Sequence, residues 1–281
     1  MSDLHSINEA INKKAGRKLL PSIGVGLSLI SLVWFALSYQ RVIFAIVVAI
    51  AVVLGVHELV RAFSARGVVI SFNGLTVAAI GLSYAAWVGG VAGLAIATAI
   101  AFPLLLIRAL LQGPEGFVAK ATATTFGLLY LPFLAGFLIL LARPSTGFQR
   151  VMTFVVLVGC NDTFGYIVGV LLGKHPLVPK ISPKKTWEGL AGSLVFTMVG
   201  GALAFEYIMD MHWWIGIIVG LMIVFTATCG DLIESAMKRD LSLKDMGTLL
   251  PGHGGMLDRL DSVVLSAPAM WLALELVKRF L

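Results

Sequence analysis

The chain has 281 residues, 58% of them apolar and only 13% charged, with a net charge of +6 and a mean hydropathy of +0.94. Several apolar runs approach roughly twenty residues, enough to cross a hydrocarbon core of about 30 Å as a helix, and this excludes one or two ordinary soluble domains. The positive balance reads as membrane topology and anionic partners, and no aromatic-basic module for nucleic acid is evident.

In chain order, residues 1–18 read as a cytoplasmic N-terminal segment. Spans are predicted at 19–38, 42–60, 74–90, 91–111 and 122–142, within an N-terminal membrane region covering 19–150. Further spans follow at 151–172, 189–208, 213–233 and 262–280, in a C-terminal catalytic region covering 151–281 with cytoplasmic loops 173–188 and 238–260. Backbone in lipid must satisfy its own hydrogen bonds, so helices or a closed barrel are the choices. Continuous rather than alternating apolar runs select helices. The expected fold is therefore all-α: a polytopic integral membrane protein with about nine transmembrane helices. The first span follows basic residues, and Ala36-Leu37-Ser38 loosely resembles a cleavage site. Its apolar stretch is long for a signal peptide, so it reads as a retained helix. Between 74 and 111 only Gly89, Gly90 and Gly93 supply a break. Glu58 and Arg61 are spaced i,i+3 and read as a simple interfacial pair. Pro103, Pro114 and Pro132 punctuate or kink helices.

Sixteen lysines and arginines fall on one set of loops (Lys13, Lys14, Arg17, Lys18, Arg61, Arg66, Arg108, Lys120, Lys174, Lys180, Lys184, Lys185, Lys238, Arg239, Lys244 and Arg259). Five fall on the other: Arg41, Arg143, Arg150, Lys278 and Arg279. The positive-inside bias puts the N-terminus and the long polar loops in the cytoplasm. Cys160 and Cys229 lie inside apolar runs, so neither a disulfide framework nor a cysteine–histidine metal site is indicated.

Polar chemistry concentrates in the C-terminal half. Asn161 and Asp162 interrupt an apolar run, and an acid at membrane depth faces a cavity or a partner. Ser182-Pro183 reads as an N-cap with proline at the first helical position. Lys184, Lys185 and Thr186 would then occupy a first turn suited to an anion such as phosphate. On a helix, Asp231, Ser235 and Lys238 share one face, with Glu234 flanking it and Arg239 four residues after Ser235. An acid deep in the helix can hold a divalent cation, and the bases beyond it can hold phosphates. In "GHGGMLDRLD", Gly252, Gly254 and Gly255 allow close approach or positive φ. Asp258 and Asp261 share a face where the last helix begins and, opposite Asp231, would offer oxygen ligands to a hard cation.

These residues resemble the signature of the phosphatidate cytidylyltransferase (CDP-diacylglycerol synthase) family. The matching positions are Ser235, Lys238-Arg239, Lys244-Asp245, His253-Gly254-Gly255, Asp258-Arg259 and Asp261. "SPKKTWEG" at 182–189 is also similar to that family, whereas the first 150 residues match only as hydrophobic spans. The resemblance implies that CTP and phosphatidate give CDP-diacylglycerol and pyrophosphate with Mg2+, a second cation being left open. It also implies a homodimer in the inner cell membrane, with its active site facing the cytoplasm. Asp231 and Asp258 are expected to bind the cation, with Asp261 as a third ligand or as support. Lys238, Arg239 and Lys244 are expected on the triphosphate or the lipid phosphate, with Lys184 and Lys185 nearby. His253, Gly254 and Gly255 would shape the nucleotide pocket. Ser182, Ser235, Asp245 and Arg259 are expected to contact substrate, and Asn161 and Asp162 to line the cavity. Two rival classes remain: a CTP-dependent lipid-alcohol kinase, and a secondary transporter with intramembrane carboxylates.

Overall fold

The computed structural model describes residues 19–247 and 254–280. The N-terminal segment 1–18, together with Gly252 and His253, lies outside the described residues. The first helices are α1 (Leu19–Tyr39), α2 (Arg41–Ser64) and α3 (Phe72–Leu110). A fourth unit starts as α4 (Phe117–Leu128), passes through a π-helical turn at Leu129–Phe133 and continues as α5 (Leu134–Ala142). Then come α6 (Gly147–Leu172), α7 (Trp187–Tyr207), α8 (Trp213–Asp240) and α9 (Leu257–Phe280). Among the described residues, seven helices are long and apolar enough to cross a membrane, with Phe117–Ala142 counted as one. The side chains agree: Phe225 in mid-α8 is 71% exposed, while its neighbours Ile223 and Val224 are buried. An exposed apolar stripe along a buried helix fits lipid and not water. The chain is a multi-pass, predominantly α-helical membrane protein.

The expected division within 74–111 takes a specific form. Gly90 has φ 63° and ψ −147°, a conformation open to glycine but not to a side-chain-bearing residue, and α3 breaks there. The chain then folds back, because a Cβ on Gly74 would lie 2.9 Å from Leu105 and 3.3 Å from Arg108. In a straight helix those residues would be more than about 45 Å apart. Arg143 covers the bend, its guanidinium donating to the carbonyls of Trp87 (2.8 Å) and Val88 (3.1 Å). Arg41 in turn donates to the Arg143 carbonyl at 2.9 Å and to that of Pro144. The turns near residues 40, 90 and 144 therefore share one end of the bundle.

At the opposite end, the expected helical start at Ser182 is replaced by a β-hairpin. Strand β1 (Pro176–Val178) pairs antiparallel with β2 (Ser182–Thr186), and α7 begins only at Trp187. The N-cap is Thr186, whose hydroxyl accepts from the Gly189 amide at 3.1 Å. Glu188 in the first turn accepts from the amides of Lys174 (3.1 Å) and His175 (3.2 Å), tying the start of the loop to the helix. Thr186 satisfies the helix end better than Ser182-Pro183, because it leaves the preceding residues free to pair as strands.

Helices α6 to α9 meet through glycines. A Cβ on Gly201 would collide with the carbonyl of Gly216, and one on Gly220 would lie 2.8 Å from the Thr197 carbonyl. Backbone-to-backbone approach of this kind substitutes for the hydrophobic effect, which lipid does not supply between helices.

Candidate active site

Helix α8 continues past the predicted end of its span at residue 233 and places Asp231, Glu234, Ser235, Lys238 and Arg239 along its last turns. Helix α9 starts at Leu257, which sets Asp258 and Asp261 in its first two turns. The two helices touch at Gly230, where a Cβ would strike the carbonyl of Asp261. That contact brings Asp231 and Asp261 together. With Glu234 they form a trio in which one carboxylate oxygen from each lies within 4.8 Å of the others. Glu234 is the least exposed member, its side chain only 1% accessible.

Two ammonium groups enter this acidic centre. Lys238 reaches Glu234 at 2.5 Å and Asp258 at 2.8 Å. Lys185, on the inward face of β2, pairs with Asp231. Asp162 of α6 approaches from the third side, accepting from Asn161 at 2.9 Å and from Ser262 at 3.3 Å. Asn161 is itself anchored, its carbonyl accepting from Ser193 at 2.7 Å. Five carboxylates (Asp162, Asp231, Glu234, Asp258 and Asp261) thus face two lysines. Such an excess of like charge, gathered around the buried Glu234 and Asp261, requires protons or added cations. Glu234 Oε1 is buried and has no hydrogen-bond partner among the described residues. A hard divalent cation matches that donor set.

Asp258 occupies a different place from the other sequence-predicted ligands. One oxygen accepts from Lys238, and the other from the amides of Met246 (3.0 Å) and Gly255 (2.7 Å). It borders the trio while fastening the chain on both sides of 247–254. Gly254 adopts φ +83°, and a Cβ there would lie 2.9 Å from Asp258 and 3.6 Å from Asp245. Arg239 donates to the Ile181 carbonyl at 3.2 Å, joining α8 to the hairpin. Ser182 lies in the hairpin, Ser235 and Arg259 are half-buried, and Lys184, Lys244 and Asp245 are exposed around the mouth. Among the described residues, neither Lys184 nor Lys244 forms an ion pair. His253 lies outside the described residues.

Several residues were not assigned to the site from sequence. Glu234 carried a signal, since it is one turn from both Asp231 and Lys238. Tyr130, in the π-helical turn of the N-terminal half, is 5% exposed and lies within electrostatic reach of Asp261, Glu234 and Asp231. Glu58 is not the simple interfacial partner of Arg61: it is 6% exposed and accepts from the amides of Met256 and Leu257. No local pattern announces a contact spanning nearly 200 residues.

The comparisons extend beyond the signature. A profile of the cytidylyltransferase family matches residues 22–277, taking in the N-terminal helices that resembled the family only in hydrophobicity. A Mycobacterium leprae protein named phosphatidate cytidylyltransferase is 38% identical over 280 residues, covering 94% of this chain and 90% of its own. A Mycobacterium bovis protein of the same name is 36% identical over 277 residues, with 94% and 90% covered. A Staphylococcus aureus protein, also of that name, is 39% identical over 137 residues, or 48% of this chain and 52% of its own. An acidic centre entered by two lysines, a family profile across most of the chain and relatives aligned over 94% of it lead to one assignment: the chain belongs to the cytidylyltransferase family.

Proposed function

We propose that the protein is a phosphatidate cytidylyltransferase, joining CTP and phosphatidate to form CDP-diacylglycerol and pyrophosphate. The observation that carries this is the trio Asp231, Glu234 and Asp261, with an orphaned Glu234 oxygen and Lys185 and Lys238 against it. The names of the relatives supply the substrates. An oxygen of the lipid phosphate attacks the α-phosphorus of CTP, and the bond to the bridging α–β oxygen breaks. The departing pyrophosphate takes the electron pair. The nucleophile is already anionic, so the main demand is to bring two anions together in line. Asp231, Glu234 and Asp261 would hold a divalent cation, with Mg2+ the proposed ion and a second cation left to Asp162 and Asp258. When bound, it offsets charge on the transferring phosphoryl group and on pyrophosphate. Lys185 and Lys238 lie where they can exchange a carboxylate for a phosphate oxygen. Lys184, Arg239 and Lys244 at the mouth attract the triphosphate. Ser182, Ser235, Asp245, His253, Gly254, Gly255 and Arg259 line the nucleotide side in this reading, and Asn161 and Asp162 the lipid side.

The same proposal covers topology. Nine crossings, with α3 contributing two arms, put Arg41, Gly90 and Arg143 outside and the hairpin and 241–256 in the cytoplasm. The arginine contacts at the first three and the lysine distribution support that parity. An inner-membrane homodimer completes the reading, and cross-linking in intact membranes tests it. For the activity, CTP labelled in cytidine is incubated with phosphatidate micelles and Mg2+. Labelled lipid together with pyrophosphate is the expected result. Release of labelled CDP would establish a kinase instead, and absence of any turnover would favour a transporter.

A further inference from the structure

The segment carrying Lys244, Asp245, Gly254 and Gly255 is held at both ends by the N-terminal half. At its start, Arg66 donates to the carbonyls of Asp240 (2.8 Å) and Leu241 (3.1 Å) and to the Ser242 hydroxyl. Those carbonyls terminate α8, the negative end of its dipole. At its finish, Glu58 accepts from the amides of Met256 and Leu257, each at 2.9 Å and each through a different oxygen. Those amides open α9, the positive end of its dipole. The Glu58 carboxylate also packs against Gly247 and Gly255, where a Cβ on either would collide with it. A cation on a helix C-terminus and an anion on a helix N-terminus are each favourable. Both come from α2 and the turn that follows it, two helical turns apart. A buried carboxylate is costly unless hydrogen-bonded, so a partner-rich Glu58 specifies one position for Met256 and Leu257.

We propose that Glu58 and Arg66 are positioning residues for nucleotide binding. They fix residues 241–247 and 254–257 so that Lys244, Asp245, Gly254 and Gly255 face CTP, while the carboxylate centre forms without them. This rests on the cytidylyltransferase reading above, and it gives the N-terminal helices a part in substrate recognition beyond anchoring.

The test is steady-state kinetics in mixed micelles for wild type, Glu58→Gln and Arg66→Gln, varying CTP and phosphatidate separately. Glutamine at 58 keeps the shape but turns an NH2 donor towards one of the two amides. Loss of one charge-assisted hydrogen bond at Glu58, and of up to three at Arg66, should raise KM for CTP by roughly tenfold or more in each variant. KM for phosphatidate should stay within about twofold, because the lipid side is untouched. Equal changes in both constants, or wild-type values for CTP, would overturn the proposal. Should Glu58→Gln fail to fold, the exposed Arg66 still carries the test. Hydrogen exchange supplies a readout without turnover: the amides of 241–247, Met256 and Leu257 should exchange faster in both variants, and unchanged rates refute the positioning role. A wild-type protein that makes no CDP-diacylglycerol would defeat the functional reading alone, and exchange would still decide this one.

Discussion

Asp231, Glu234 and Asp261 converge between α8 and α9, and each is compensated by a different partner. Asp231 takes Lys185, Glu234 takes Lys238, and Asp261 accepts from the amide of Ser262 at 2.7 Å. Neutralising any one of them while keeping its shape should remove a cation ligand and leave the fold intact. Asp231→Asn, Glu234→Gln and Asp261→Asn are therefore each expected to lower kcat by roughly 10²–10³-fold. Melting points in detergent should remain close to wild type. A Glu234→Gln enzyme with normal turnover at low Mg2+ would remove Glu234 from the centre. Gly254 makes a different prediction. A left-handed conformation costs a non-glycine residue roughly 1–2 kcal/mol, and the added methyl would also press on Asp258. Because Asp258 fastens Met246 and Gly255, Gly254→Ala should act mainly through the dependence on CTP. Unchanged CTP constants would reduce this glycine to a connector.

Among the elements, the α8–α9 contact and the β-hairpin decide whether the site assembles. Gly230→Ala places a methyl against the Asp261 carbonyl, so the first turns of α9 must move away from Asp231. Activity should fall far more than stability, and full activity with unchanged cation dependence would contradict this geometry. The hairpin delivers Lys185 because residues alternate along a strand, sending Lys185 inward and Lys184 to solvent. Lys185→Gln should consequently cost more turnover than Lys184→Gln, measured side by side at saturating Mg2+. Equal effects would mean that the strand's alternation does not govern the site. Thr186→Ala should cost about 1 kcal/mol through loss of the α7 cap. The melting temperature in detergent would register it.

For the whole molecule, the contacts sort the turns onto two faces. Arg41, Gly90 and Arg143 meet on one, whereas Arg66, the hairpin and the ends of 241–256 meet on the other. Single cysteines at Ser145 and at Ser182, in a background lacking Cys160 and Cys229, test the orientation. An impermeant thiol reagent applied to intact cells should label position 145 and spare 182. The reverse pattern would invert the protein and move the CTP entrance outside.

Membrane spans were readable residue by residue because lipid obliges every backbone group to bond within its own segment, and that is a local requirement. The acid-and-base spacings on α8 and at the start of α9 were readable for a related reason: helical periodicity alone places Asp231 with Lys238 and Asp258 with Asp261. The helix bounds at Trp187, Asp240 and Leu257 were less so, since caps and loop contacts rather than hydropathy set them. Folding back at Gly90, the strand register that turns Lys185 inward, Glu234's place beside Asp261, and the grip of Glu58 and Arg66 on a distant loop were not legible. Each depends on which surfaces meet after the helices have formed. That choice follows from close approach at glycines and from buried polar groups finding partners far along the chain.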